Sequence, residues 1–164
     1  MELEVLAPAG DRERLLSALN YGADAVYLGR KQFGMRASSG NFDFEGLKEA
    51  VKLSHDKGVK VFLTCNTLPR NNEIPLFEQF VREAVEAGVD ALIAADLGLI
   101  SLIKKYAPDM VIHASTQTGI VNYVTANELY NMGCKRRCLG FFLLWILLLY
   151  TRRQKRDGGN CNCK

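Results

Sequence analysis

Short runs of apolar residues alternate with amphipathic segments along most of the chain. The apolar runs are too short for helices and end at Gly, Pro or polar residues, which is typical of buried strands. Strands are predicted at residues 3–7, 25–29, 59–66, 91–96 and 110–116. Near-continuous apolar strands of this kind indicate a parallel sheet that is covered by other elements.

The segments between these strands carry apolar residues at helical spacing and end at residues that stop helices. The predicted helices span about 11–21, 44–56, 74–87, 98–106 and 123–132. Asp11 is placed to cap the first helix, and Gly22, Gly58 and Gly88 follow the first three helices. Because helices and strands alternate, we expect an α/β protein built from about five βα units.

An internal repeat supports a fold made of equivalent units. YGADAVYLG at 21–29 and AGVDALIAAD at 87–96 share the order Gly, small residue, Asp, Ala and apolar strand. We interpret this order as a helix stop, a tight turn with an acidic residue at the mouth of the strand, and a buried strand. NMGCKR at 131–136 begins a third copy, so a sixth strand is expected directly after it.

Two architectures are compatible with five βα units in a parallel sheet. One is a doubly wound, flavodoxin-like sheet, which reverses its strand order and carries helices on both faces. The other is an incomplete (βα)8 barrel, whose strand order never reverses and whose closure typically needs about 250 residues. The periodicity of the sequence does not distinguish between them.

The charge is distributed unevenly along the chain. The net charge is +3, but residues 1–135 hold 14 basic and 17 acidic residues, whereas residues 136–164 hold seven basic residues and one acidic residue. The repeat-bearing part is therefore mildly acidic, and its charge does not by itself indicate nucleic-acid binding. Met1 leads into a strand-like segment without a signal-peptide pattern, so we expect a cytoplasmic protein with reduced thiols.

Several longer segments resemble one known family. These segments are LAPAG at 6–10, YGADAVYLG at 21–29, RASSGNFDFEGL at 36–47 and DLGLISLIKKYAPDMVIHASTQTGIVN at 96–122. Residues 3–136 are similar, in order and in spacing, to the collagenase-like peptidases of unknown catalytic type, peptidase family U32. The resemblance implies an incomplete (βα)8 barrel and, by the family name, a peptidase or hydrolase activity. The closest branch is associated with 5-hydroxyuridine formation in tRNA, and other branches with ribosomal RNA hydroxylation and ubiquinone synthesis.

The resemblance also implies a cofactor that this chain is not expected to hold. Family members are thought to bind an iron–sulfur cluster through cysteines that lie downstream of the similar segment. The spacing of Cys138, Cys161 and Cys163 does not match the family pattern, so no cofactor is expected here. Cys65 and Cys134 lie alone in periodic segments and are interpreted as small buried side chains.

Candidate site residues follow from the position of the active site in a (βα)8 barrel, at the C-terminal ends of the strands. Besides Ala9 and Gly10, this rule selects polar residues after the second, third and fifth strands. Arg36, Asn66, Ser115 and Gln117 are the candidate substrate-binding residues, since guanidinium, hydroxyl and amide groups bind polar or anionic ligands.

Two further residues at the same ends are candidates for catalysis. Asp96 and His113 could take part in acid–base chemistry. Each also has a structural interpretation, because Asp96 could cap the fourth helix and His113 could be a core histidine. No metal site is predicted from the spacing of His, Cys, Asp and Glu.

Residues 137–164 do not continue the alternation of short apolar runs and amphipathic segments that precedes them. The coding sequence for residues 137–141, read one nucleotide later, permits Val-Val-Leu-Ala, as the repeat requires. We therefore divide the chain into a barrel segment, 1–136, and an aberrant tail, 137–164, that a frameshift would explain. The twelve apolar residues at 139–150 are fewer than the roughly 20 that a membrane-spanning helix needs, so a membrane partner is not expected.

Three functional hypotheses follow. The first is the N-terminal part of a family enzyme that acts on tRNA or on peptides and is inactive as this shortened chain. The second is a self-contained flavodoxin-like binding module. The third is a truncated protein that associates with membranes through its tail.

Overall fold

The computed structural model describes residues 4–34 and 40–137, which form one parallel sheet and the helices that cover it. The strands are β1 (Leu6–Pro8), β2 (Ala25–Gly29), β3 (Lys60–Cys65), β4 (Ala91–Ala94), β5 (Ile112–Ala114) and β6 (Cys134–Arg137). The helices are α1 (Arg12–Asn20), α2 (Phe44–His55), α3 (Ile74–Ala87), α4 (Leu97–Tyr106) and α5 (Tyr123–Asn131), with a 3-10 turn at Thr116–Thr118.

The order of the strands decides between the two architectures. The sheet runs β1-β2-β3-β4-β5-β6, every neighbouring pair is parallel, and the order does not reverse among the described strands. A doubly wound sheet requires a reversal, so the flavodoxin-like alternative does not fit this order. The arrangement is that of an incomplete (βα)8 barrel, as the family resemblance implied.

Alternate residues of β2, β3 and β4 belong to two separate apolar clusters. Val61 and Leu63 of β3 belong to a large cluster that includes buried residues of the helices, such as Phe77 of α3. Phe62, which lies between them, belongs to a small cluster made of strand residues alone. Since side chains alternate across a strand, the first cluster marks the outer face of the sheet and the second the inner face. The helices therefore cover one face only.

The repeated Asp has the same role in both complete copies of the repeat. The Asp24 carboxylate accepts a hydrogen bond from the backbone N–H of Val5, at 2.7 Å, before β1. The Asp90 carboxylate accepts one from the backbone N–H of Val61, also at 2.7 Å, at the start of β3. Each Asp thus ties the beginning of its own strand to that of the neighbouring strand. The third copy has Lys135 at this position.

Most predicted element boundaries agree with the structure to within one or two residues, because they depend on local signals. Asp11, Asp43, Asp96 and Asn122 cap their helices through hydrogen bonds of 2.8 to 2.9 Å to backbone N–H groups. Two strands are clearly shorter than predicted: β1 covers Leu6–Pro8 and β5 covers Ile112–Ala114. The expected sixth strand is present, but it begins inside the third copy of the repeat, at Cys134.

No helix within residues 4–34 and 40–137 is both long enough and apolar enough to cross a membrane. The hypotheses about the tail beyond residue 137 lie outside the described residues.

Candidate functional site

A cleft of about 610 Å³ opens at the C-terminal ends of the strands. It is lined by Leu6, Pro8, Ala9, Gly10, Tyr27, Leu28, Gly29, Gly34, Asn41, Thr64, Asn66, Ile93, Ser115, Thr116 and Gln117. The residues after β1, β3 and β5 that the strand-end rule selected are thus brought together: Ala9, Gly10, Asn66, Ser115 and Gln117 all face one space.

The described lining of the cleft is polar. None of the lining residues that the structure describes has a charged side chain. Carboxamides come from Asn41, Asn66 and Gln117, hydroxyls come from Thr64, Ser115, Thr116 and Tyr27, and the remaining lining residues are apolar or Gly. Carboxamides both donate and accept hydrogen bonds, and a Tyr ring offers a flat apolar surface. Such a site suits a ligand with a neutral, hydrogen-bonding ring.

Ser115 builds the turn that carries Gln117. Its backbone N–H donates to Ala94 O of β4 at 2.8 Å, and its carbonyl accepts a hydrogen bond of 2.6 Å from the hydroxyl of Thr118. Its own hydroxyl accepts the backbone N–H of Gln117 at 3.4 Å. Ser115 is only 3% exposed, whereas Gln117 is exposed at the mouth of the cleft. Ser115 therefore shapes the wall, and the exposed Gln117 lies at the mouth of the cleft.

The wall on the side of β2 depends on a close approach between strands. The hydroxyl of Thr64 donates to Leu28 O at 3.1 Å. A Cβ at Gly29 would lie 3.1 Å from that hydroxyl oxygen and 3.4 Å from Oδ1 of Asn41. Glycine at this position therefore lets the side chains of Thr64 and Asn41 reach the same part of the cleft.

Asn41 was not selected by the sequence analysis. It is 8% exposed, and its amide Nδ2 donates to Arg30 O at 3.1 Å. An isolated parallel bridge between Arg30 and Phe42 returns the chain to the end of β2 after a long loop and so brings Asn41 to the cleft. The strand-end rule misses it because the residue lies far along the loop. Its position two residues before the capping Asp43 was the local signal.

His113 lies on the inner face without lining the cleft. Its ring meets that of Phe62 edge to face at 4.6 Å, and the residue is 4% exposed. Burial, followed by the nearby charge of Arg136, lowers the pKa of His113 to about 4. The imidazole is therefore neutral at pH 7. The surroundings of His113 are those of a buried core histidine.

Of the other two candidates, only Asp96 lies within the described residues. Oδ1 of Asp96 accepts the backbone N–H of Leu99 at 2.9 Å, so its carboxylate caps α4, and Asp96 is not among the lining residues. Arg36 lies outside the described residues.

An ion-pair cluster occupies the N-terminal end of the inner face. Glu4 pairs with Lys60 of β3 at 3.4 Å and with Arg136 of β6. Burial by itself would raise the pKa of Glu4, but hydrogen bonds and charges from Arg136 and Lys60 outweigh it and hold that pKa below its usual range. Arg136 stands where the first two copies of the repeat have the inner-face residues Ala25 and Ala91. The charged groups of the inner face thus lie at the N-terminal ends of the strands, whereas the cleft lies at their C-terminal ends.

The described cysteines do not fit an iron–sulfur cluster. Cys65 and Cys134 are both fully buried in the cluster that faces the helices, and burial raises the pKa of the Cys65 thiol far above its ordinary value. Cluster ligands are thiolates, which this surrounding disfavours. Within the described ranges, no group of three or more His, Cys, Asp or Glu side chains could hold a metal ion.

Comparisons with known proteins agree with this architecture. Residues 10–140 match the family described as Peptidase family U32. The tRNA hydroxylation protein P of Helicobacter pylori is 40% identical over 136 residues, which cover 82% of this chain and 32% of that protein. A collagenase of Porphyromonas gingivalis is 36% identical over 122 residues, covering 74% of this chain and 29% of that protein.

A solved U32 peptidase has the same fold, with a TM-score of 0.71 at 13% identity over 84% of this chain and 58% of that chain. The chain spans about a third of the length of the curated relatives named above.

Proposed function

This chain belongs to peptidase family U32, and from that premise we propose that it is the N-terminal part, 1–136, of a cytoplasmic (βα)8-barrel enzyme that hydroxylates uridine in tRNA. The observation that carries the proposal is the set of carboxamides and hydroxyls that line the cleft at the C-terminal ends of the strands. The tRNA hydroxylation proteins among the relatives, 37 to 40% identical in Escherichia coli and Helicobacter pylori, support the same choice of substrate.

The cleft has the groups needed to bind a uracil base. The pairing edge of uracil presents one N–H donor between two carbonyl acceptors, and carboxamides complement both kinds of group. In this proposal Asn66 and Gln117 contact that edge, and the ring of Tyr27 packs against the face of the base. Enzymes that modify a base must take it out of its stack into a pocket that combines these two kinds of contact.

The remaining candidates take supporting roles in the proposal. Arg36 contacts a phosphate next to the base, and Ser115 holds the turn that presents Gln117. Neutral His113 supports the inner face from below, and Asp96 holds the first turn of α4. The cysteines that would bind the family's cluster lie outside the matched segment, so we expect this segment by itself to bind substrate without converting it.

A peptide is the second candidate substrate, because the Porphyromonas gingivalis relative is a collagenase. Peptide hydrolysis without a metal needs a nucleophile beside a base that can take its proton. Among the described lining residues, hydroxyls are present at Tyr27, Thr64, Ser115 and Thr116, but none of these residues has a His, Asp, Glu or Lys beside it in the lining that could take its proton. The geometry therefore favours RNA.

A chimeric enzyme tests the proposed function. The matching segment of the Helicobacter pylori relative is replaced by residues 1–136, and hydroxylated uridine in tRNA is measured by mass spectrometry in cells that lack their own enzyme. We expect the chimera to restore the modification, and Gln117→Ala or Asn66→Ala to reduce it at least about tenfold. Asn127→Ala is the matched control, because this exposed carboxamide lies on α5 outside the cleft. A folded chimera that cleaves gelatin and leaves tRNA unmodified would contradict the proposal.

A further inference from the structure

We propose that Phe33 is a positioning residue. It anchors the start of the β2–α2 loop on α3, and this anchor fixes the part of the cleft wall that Gly34 and Asn41 form on the other side of the loop. The inference rests on the proposed function, because it concerns the same cleft. Phe33 does not line the cleft itself.

The backbone of Phe33 has an unfavourable conformation. Its φ is 59°, and it is the one non-glycine residue with a positive φ within residues 4–34 and 40–137. A bulky side chain disfavours this left-handed region, so the conformation persists only where surrounding contacts enforce it. Strained residues of this kind cluster next to binding sites, and the residue that follows Phe33 lines the cleft.

Contacts with α3 and with the β3–α3 loop enforce this conformation. The Phe33 ring meets Phe77 and Phe80 of α3 edge to face, with centroids 5.1 and 5.2 Å away. The carbonyl of Phe33 accepts hydrogen bonds from Thr67, at 3.4 Å from the backbone N–H and 3.1 Å from the hydroxyl. The side chain and the carbonyl are thus both held by residues that follow β3.

Arg30 provides a second attachment to the same helix. Its guanidinium pairs with Glu83 of α3, in a largely buried contact. It also lies 5.8 Å from the ring centroids of both Phe44 and Phe80. The loop therefore leaves β2 with its first residues fastened to α3 by one ion pair and one aromatic cluster.

The opposite side of this anchored segment is the cleft wall. Gly34 directly follows Phe33 and lines the cleft, and a Cβ there would lie 3.0 Å from Arg30 O. Asn41, which also lines the cleft, donates to the same carbonyl. A change in the backbone conformation of Phe33 would therefore shift Gly34 and disturb the Arg30 carbonyl, which accepts the hydrogen bond from Asn41. The contacts with α3 and the cleft wall are thus coupled.

The experiment compares local loosening with global destabilisation, using the whole 164-residue chain. Phe33→Gly accepts the left-handed conformation but removes the ring, Phe33→Leu keeps an apolar side chain, and Thr67→Val removes one donor to the Phe33 carbonyl. Ile103→Ala is the control, since it removes a buried apolar side chain of α4 away from the loop. Amide hydrogen exchange, urea unfolding and the affinity for a short oligouridylate are measured for each variant.

We expect Phe33→Gly to speed exchange in residues 30–34 and 41–42 by about tenfold or more and to weaken oligouridylate binding by about tenfold. Phe33→Leu should keep the exchange rate and the oligouridylate affinity close to those of the unchanged chain. Thr67→Val should also speed exchange and weaken binding, but by a smaller factor than Phe33→Gly. Ile103→Ala should lower the urea midpoint without either local effect. If Phe33→Gly does not fold, Phe33→Leu and Thr67→Val decide the question by the same two readings.

The inference is overturned if the Phe33 and Thr67 variants lower the urea midpoint while their loop exchange and binding match those of Ile103→Ala. The exchange reading does not depend on the ligand. If the unchanged chain fails to bind oligouridylate, the proposed function is contradicted, and the exchange of residues 30–34 and 41–42 still tests whether Phe33 holds the wall.

Discussion

The two faces of the sheet are built from the same strands but differ in almost every physical respect. The outer face packs against the helices in one large cluster of buried apolar side chains. The inner face has a small cluster, with Phe62 and Ile93 among its members, between the cleft and an ion-pair cluster. Neighbouring residues of one strand therefore serve opposite purposes.

This difference separates stability from binding along the sequence. Apart from the contacts between Phe33 and α3, a change on the outer face alters packing with the helices, whereas a change at the cleft alters contacts with a ligand. Because side chains alternate in direction, a substitution at one position leaves the next position's face largely unaffected. The following predictions test that separation, from the largest expected effect on stability to the smallest.

Loss of an outer-face aromatic ring should be the most damaging change. Phe77→Ala removes a fully buried ring of α3 that contacts Phe33 and Phe80, so we expect the free energy of unfolding to fall by about 3–5 kcal/mol. Urea unfolding monitored by circular dichroism measures this loss. Leu76→Ala, next to it on α3 and 50% exposed, should change stability by less than about 0.5 kcal/mol. Similar losses in both variants would show that burial on this face is not what stabilises the chain.

Acid should act on the inner face through His113. Its folded pKa of about 4 lies below the ordinary value near 6.5, so the unfolded chain binds a proton more readily. The stability that neutral His113 contributes is complete above pH 6.5 and is lost as the pH falls towards 4. Between pH 7 and pH 5 the loss should be about 2 kcal/mol.

His113→Gln isolates this effect, because it removes the titrating group and leaves the other acids and bases in place. The difference in unfolding free energy between the chain and this variant should change with pH in that interval. A difference that is constant from pH 7 to pH 5 would mean that His113 titrates normally.

The repeated aspartates should contribute a smaller, local stabilisation at the N-terminal ends of the strands. Asp90→Ala removes the acceptor for the backbone N–H of Val61 and the 2.9 Å contact with Nε2 of His55, so we expect a loss of about 1–2 kcal/mol. Asp109→Ala, an exposed Asp on the loop before β5, is the control and should have almost no effect. Equal effects in urea unfolding would refute the shared role assigned to the repeat.

Gln117→Ala should have the smallest effect on stability and a large effect on binding. The side chain is exposed at the cleft mouth, so unfolding should change by less than about 0.5 kcal/mol, while affinity for oligouridylate should fall by about tenfold. Fluorescence anisotropy of a labelled oligonucleotide measures the affinity. If stability falls and binding does not, the separation between the two faces fails at this residue.

Local order in the sequence was enough to predict the elements and the position of several cleft residues. Helix caps such as Asp11 and Asp43 and the apolar periods depend on residues a few positions apart, and they appear where expected. The strand-end rule brought Asn66, Ser115 and Gln117 to one cleft without any contact information. By the same rule Asp96 was selected, but its local role as a helix cap governs its position.

What the amino-acid sequence determined by itself was the α/β class, the order of elements, the repeated Asp and the family resemblance, because each depends on short-range pattern. The three-dimensional structure was needed to show that the strand order does not reverse, that Asn41 joins the cleft and that Phe33 is held in a left-handed conformation. These features depend on hydrogen bonds and ring contacts between residues far apart in the chain, such as Thr64 with Leu28 or Phe33 with Phe77. No local periodicity encodes which distant residues meet, so they become visible only when the strands are side by side.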